Sequence, residues 1–186
     1  CLSDLERKLL GKKKASAVST PIANAKAGLP AMDAAGCVKA GMNVALGTGG
    51  AVECGNLDLF EVMRGTSLAV RSASGKADAL PAQATLMMAT VCGARAQHRE
   101  QECGMIKVGM DADLIMLDFT QPHLMPCHNV MSHLAYCVSG HDVVMTMVRG
   151  KILYAAGKYP TIDLEAVVRE LADHVMPTMF TDEQQG

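Results

Sequence analysis

The stretch NVALGTGGAVECGNLDLFEVMR, Asn43 to Arg64, limits the fold more than any other part of the chain. NVALGT is a continuous apolar run of the kind buried on both faces of a parallel sheet. A glycine turn follows, Gly47-Thr48-Gly49-Gly50, and then Leu57, Phe60, Val62 and Met63 mark an amphipathic helix with Asn56 as its expected cap. A buried strand that turns directly into a helix belongs to an α/β fold. Such a turn is also where an enzyme often keeps a catalytic group. This one offers a single hydroxyl, Thr48, and no ionisable side chain.

The flanking sequence supports the same class. Ser3-Asp4 followed by LERKLLGKK is a capped helix start, with Leu5, Leu9 and Leu10 at helical spacing. ASAVST, residues 15–20, is a short apolar strand closed by Pro21. PAMDAAGCVKAG, residues 30–41, puts Met32, Ala35 and Val38 on one helical face and stops at Gly41. SASGKAD, residues 72–78, is a loop by composition. Pro81 opens a helix over AQATLMMATVCG that Gly93 is expected to break, with ARAQ as a shorter piece beyond it. After Gly104 the period changes. MIKVG and DADLIMLDF suggest strands either side of Gly109-Met110, and DVVMTMVRGKILYAAGKY a hairpin turning at Arg149-Gly150. Helical spacing returns in IDLEAVVRELADHVMPTMF. The chain thus divides into an α/β part (1–103), a β segment (104–155) and a closing helix (156–186).

Composition excludes several classes. Of 186 residues 49% are hydrophobic and 19% charged, which is globular rather than disordered. Aromatics make up only 3%, so the core must be aliphatic, helped by 14 Met. A net charge of −2 gives no footprint for nucleic acid or an anionic membrane, and Lys12-Lys13-Lys14 is a solvated helix end. The 7 Cys are odd in number and lack CxxC spacing, while Cys37, Cys92 and Cys137 fall in apolar patterns. A reducing, cytoplasmic setting is expected. No signal peptide or long apolar span is visible. The chain starts at Cys1 without an initiator Met, which suggests a fragment or a processed product.

The residues alone do not assemble an active site. The glycine turn matches neither GxxxxGK[ST] nor GxGxxG, although amides at Gly49-Gly50-Ala51 leave anion binding open. His98, His123, His128, His133, His141 and His174 form no HxH, HExxH or Cys/His zinc spacing, and are expected to be loop residues or hydrogen-bonding histidines. The HxE…PCxxC deaminase signature is absent, as is GxSxG. Asp111 and Asp113 flank a strand and suit a turn.

Several segments together resemble one family. AGMNVALGTGGAVECGNLDLFEVMR is similar to the amidohydrolase pattern AGVNVALGTDGAxxxNxLDLFEEMR. LPAQATLMMATVCGARAQ resembles LPAxxALxMATxNGARAL, and CGMIKVGMDADLIMLDFTQPHLMP resembles IGSLEVGKxADLIVLDxxxPHLxP. The PHL and SHLAY wording points to the methylthioadenosine/S-adenosylhomocysteine deaminases and the related triazine hydrolases and chlorohydrolases.

The resemblance implies the C-terminal part of a (β/α)8 barrel, with ASAVSTPIAN as strand seven and NVALGT as strand eight, plus part of a small β-sandwich. It also implies a divalent metal, zinc as a rule, that makes hydroxide for deamination of a purine nucleoside or related heterocycle. The family's His ligands would lie upstream of Cys1. Its strand-eight Asp ligand falls at Gly49, so no metal ligand or catalytic residue is expected in this chain. Glu53 and Asp58 follow the turn, and a helix-start acid accounts for them. HCPxSN on strand seven is here Ser19-Thr20-Pro21-Ile22-Ala23-Asn24. Asn24 and Thr48 remain as candidate substrate-side residues. A chain of this kind is expected to associate with itself or with a missing N-terminal portion, because two barrel strands leave open edges. A degenerate, non-catalytic paralogue is the alternative.

Overall fold

The computed structural model describes residues 2–179. The start of the chain follows its local signals. Helix α1 (Asp4–Lys12) is capped by Ser3, which accepts the Glu6 amide while Glu6 accepts the Ser3 amide in return. Strand β1 (Ser16–Ser19) comes next. Pro21 then does more than close it. The ring starts a short helix, α2 (Pro21–Lys26), where the sequence signalled only the end of a strand.

Helix α3 (Ala34–Lys39) buries Ala34 and Cys37, whereas Val38 of the expected face is 49% exposed. Met32 and Ala35 of that face are partly buried against the core, and Asp33 caps the helix by accepting the Gly36 amide at 2.8 Å. Strand β2 (Asn43–Leu46) is buried at every residue, as a continuous apolar run requires. It pairs with β1 in parallel, Ser16 opposite Asn43 and Ser19 opposite Leu46.

The turn leads into a one-turn helix, α4 (Ala51–Cys54), and then into the long helix α5 (Leu59–Ser74). Asp58, not Asn56, caps α5. Asn56 instead accepts the Asp58 amide and donates to Glu61, and Leu57 stays exposed. Helix α5 buries Val62, Met63, Thr66, Ser67 and Val70, and its C-terminal Gly75 takes φ +66°. The expected loop therefore starts at Gly75 rather than at Ser72.

Helix α6 (Ala82–Ala89) follows Pro81, and the helical path breaks at Thr90. Helix α7 (Val91–Ala96) runs straight through Gly93, which was expected to be the break. Apolar residues Met42, Val44, Leu46, Val62, Met63, Val70, Leu80 and Met88 form the core between the parallel pair and these helices.

The MIKVG segment is not a strand. Ile106 and Val108 are 90% and 101% exposed, and no neighbouring strand offers them a ladder. Strand β3 (Leu114–Leu117), β4 (Val143–Val148) and β5 (Lys151–Ala155) form an antiparallel sheet with β4 in the middle. The β4–β5 hairpin turns at Arg149 (φ +49°) and Gly150 (φ +76°), the positive pair that a tight two-residue turn demands. Between β3 and β4 lies α8 (Val130–Tyr136), packed against α5 and α6. The described chain ends in α9 (Leu164–Glu170), a π-helical turn (Leu171–Val175) and α10 (Met176–Met179). Phe180, included in the expected helix, lies outside the described residues. Cys37, Cys54, Cys92, Cys103, Cys127 and Cys137 are free, and no helix among the described residues is long and apolar enough to cross a membrane.

Candidate active-site corner

The corner of interest stands at the C-terminal ends of β1 and β2. Pairing of the two strands runs one residue past β2, where the Gly47 amide donates to the Ser19 carbonyl at 3.0 Å. Glycine is needed at position 47 because a β-carbon there would lie 2.8 Å from Val18 Cγ1. Position 49 needs it for a different reason: its φ is +72°.

Gly50 then caps α4. The Glu53 carboxylate folds back to accept the Gly50 amide, leaving that donor satisfied. The same oxygen, Oε2, would stand 2.9 Å from a β-carbon added at Gly49. From the other side, Lys26 of α2 donates to the Val52 carbonyl at 2.7 Å, and Ala23 lies 3.8 Å from that same added carbon. Glu53 is thus a helix-start acid, as its place in the sequence suggested. Asp58 does not reach the turn. Its carboxylate accepts the Phe60 amide at 2.8 Å and the Gly140 amide at 2.7 Å.

Asn24 and Thr48 both follow strand ends, on α2 and in the glycine turn, and both are half-buried. Their side chains are locally engaged. Thr20 donates to Asn24 Oδ1 at 3.4 Å, and Thr48 donates to the Gly49 carbonyl at 2.9 Å. Gly49 and Ala23 bring the two segments near each other, but no hydrogen bond joins Asn24 to Thr48. The anion-binding alternative loses its central donor, since the Gly50 amide is already taken by Glu53.

The histidines do not gather there. His123 Nε2 lies 3.0 Å from Asp142, and His133 is on α8 rather than in a loop, with Nδ1 3.1 Å from the Asn129 carbonyl. Asp142 is buried, which pushes its carboxyl up. The Ser139 amide and His123 outweigh that and hold it below the usual carboxylate range. This pair was missed in the sequence because nineteen residues separate the partners and only folding brings them together. Asp111, by contrast, is more than a turn residue: it lies 3.1 Å from Arg149 and 3.7 Å from Arg99.

Metal chemistry can be tested against these donors. Among the described residues no group of three His, Cys, Asp or Glu side chains could hold an ion. The corner presents a single carboxylate, already bonded to the backbone. The residues present do not fit a metal centre. A cavity of about 590 Å³ lies instead at the opposite end of the strands, lined by Lys14, Met42, Asn43, Leu80, Met87 and Cys92. Asn43 there bridges Ser16 and the Cys92 carbonyl, with its Oδ1 left unpaired.

Comparison with known proteins places this geometry in a family. Residues 1–153 match the amidohydrolase family. A 5'-deoxyadenosine deaminase of Methanosarcina mazei is 40% identical over 169 residues, 91% of this chain and 39% of that protein. A 5-methylthioadenosine/S-adenosylhomocysteine deaminase of Moorella thermoacetica is 38% identical over 170 residues, 91% of this chain and 40% of that protein. An adenosine deaminase from Xanthomonas campestris with bound zinc superposes with a TM-score of 0.89 at 30% identity, covering 92% of this chain and 39% of the other. A zinc complex of atrazine chlorohydrolase from Arthrobacter aurescens shares the fold, with a TM-score of 0.83 at 22% identity over 92% of this chain and 38% of that one. The chain spans about two fifths of the length of the curated relatives it matches. With the parallel strand pair and the matched sequence in agreement, this chain belongs to the amidohydrolase family.

Proposed function

We propose that this chain is the C-terminal portion of a metal-dependent amidohydrolase whose intact form hydrolytically deaminates a purine nucleoside or a related heterocycle. The observation that carries the reading is 40% identity to a 5'-deoxyadenosine deaminase across 91% of the chain. In this reading β1 and β2 are the seventh and eighth strands of a (β/α)8 barrel, with residues 1–103 as the end of the barrel. Residues 104–155 are a β-sandwich segment, and 156–186 a C-terminal helix. Asn24 and Thr48, each just beyond a strand end, border the substrate.

The same reading makes the chain inactive alone. Zinc belongs to the intact enzyme, as in the zinc-bound neighbours, and its histidine ligands are supplied by a portion outside this sequence. Gly49 stands at the aspartate position and has no side chain to offer. The working partner is a small heterocyclic substrate, not nucleic acid or a membrane, and the free cysteines suit a cytoplasmic setting.

Val18, 54% exposed on β1, which among the described residues belongs to a two-stranded sheet, supports association with the missing strands or with a second copy. The departure at Gly49 favours a second reading, a non-catalytic paralogue that persists as an interaction partner. Sequencing the coding region upstream of Cys1 separates the two. An in-frame HxH supports the enzyme, and a start codon with no HxH supports the paralogue.

A further inference from the structure

Helix α9, the π-helical turn and α10 bury none of their residues. Yet Leu164, Val167, Val168, Leu171, Met176 and Met179 form one apolar stripe, each between 46% and 63% exposed. Met176 keeps to that stripe because of the π-helical turn. It follows Leu171 by five residues, a step that an α-helix would carry round to the flank. The wider turn brings it back under Leu171. Pro177, whose ring cannot sit against the carbonyl four residues back, accounts for the turn. Glu165, Arg169, Glu170 and Asp173 lie off the stripe. A helix of this length is marginal in water unless its apolar face is covered.

We infer that the stripe is the contact for a second copy of this chain, which lays its own α9–α10 segment across it antiparallel, about a two-fold axis. Three features select that occupant. The stripe runs from Leu164 to Met179, so an axis between Leu171 and Ala172 sets Leu164 against Met179 of the second copy and Val168 against its Val175. Apolar residues then meet apolar residues along the whole length. In the same register Arg169 stands level with Asp173 of the second copy, and the two helix dipoles oppose each other. Lastly, half-exposed side chains of this size present roughly 500 Å² per copy, so a pair buries about 1,000 Å², enough for a specific but weak interface. The inference does not rest on the deamination reading.

The test is sedimentation equilibrium of the full chain carrying Leu9→Glu and Val18→Lys, so that the exposed residues of α1 and β1 take no part. This protein is expected to form a weak dimer. Leu171→Glu added to it should raise the dimer dissociation constant at least tenfold. Ala166→Glu, the same charge on the far face, should change it less than twofold. In a second measurement Leu164→Cys and Met179→Cys are introduced together. One helix holds these positions about 22 Å apart, too far for an internal disulfide. Air oxidation should therefore give linked dimers whose peptide map joins 164 to 179. A protein that stays monomeric at every concentration would overturn the inference and leave the stripe to a portion outside this chain. A dimer equally sensitive, or equally indifferent, to the two glutamates would overturn it as well. So would linkage of 164 to 164, the mark of a parallel pair.

Discussion

Asp58 accepts the Gly140 amide at 2.7 Å across a sequence separation of 82, tying the head of α5 to the loop that leads into β4. The same carboxylate accepts the Phe60 amide as the cap of α5. One side chain therefore serves a local and a distant donor. Asp58→Ala should lower stability by about 1–2 kcal/mol, the range of a lost cap. Asp58→Asn keeps an acceptor at the cap and should lose less. Urea unfolding of the two variants checks the order.

Asp142 gives the structure an acid-sensitive point. It accepts the Ser139 amide at 2.8 Å and pairs with His123 at 3.0 Å. Its folded pKa lies below the ordinary 3.8. The stability it contributes is complete above that ordinary value and is lost as the pH falls through the lowered folded one. Asp142→Asn should therefore flatten the loss of stability on the acid side. It should also cost about 1 kcal/mol at neutral pH, because the half-buried Ser139 amide and hydroxyl lose a charged acceptor. Unfolding curves across the acid range decide it.

Tyr136 anchors α8 to the helical layer. Its hydroxyl bonds Ser67, which is fully buried, and the Arg71 guanidinium lies 5.1 Å from its ring centroid. Tyr136→Phe keeps the ring and the cation contact, so its cost should be about 1 kcal/mol. Tyr136→Ala loses both and should cost about 2–3 kcal/mol, less than deletion of a fully buried aromatic because Tyr136 is only half-buried. Chemical denaturation of the pair separates hydroxyl from ring.

The flank carrying α1 and β1 should make the chain associate. Leu5 and Leu9 are 78% and 58% exposed on α1, and Val18 is 54% exposed on a strand with an open edge. Sedimentation is expected to show mass rising with protein concentration. Leu9→Glu with Val18→Lys should shift the population toward monomer. A wild type that remains monomeric at high concentration would contradict the open-flank account.

How far the sequence disclosed this fold depended on whether each signal was local. The run Asn43–Leu46 was legible because continuous burial leaves an unbroken apolar pattern, and the β4–β5 hairpin because Arg149-Gly150 carries its own turn geometry. The Ser3/Glu6 box was legible for the same reason. MIKVG misled because its apolar residues resemble a strand, while a strand exists only where a neighbour supplies hydrogen bonds, and Ile106 and Val108 have none. Gly93 misled because intrinsic preference is weak against the packing of α7, and the break fell at Thr90 instead. At the corner, Glu53 was legible as a helix-start acid. Its closeness to Gly49 was not, since that depends on the positive φ of the glycine itself.

The most direct test of the account is zinc content and ammonia release for this chain alone, with 5'-deoxyadenosine as substrate. The account predicts no stoichiometric zinc after dialysis and no ammonia above the buffer rate, because the described residues gather no donor set and position 49 is glycine. One equivalent of bound zinc together with catalytic release of ammonia would contradict it.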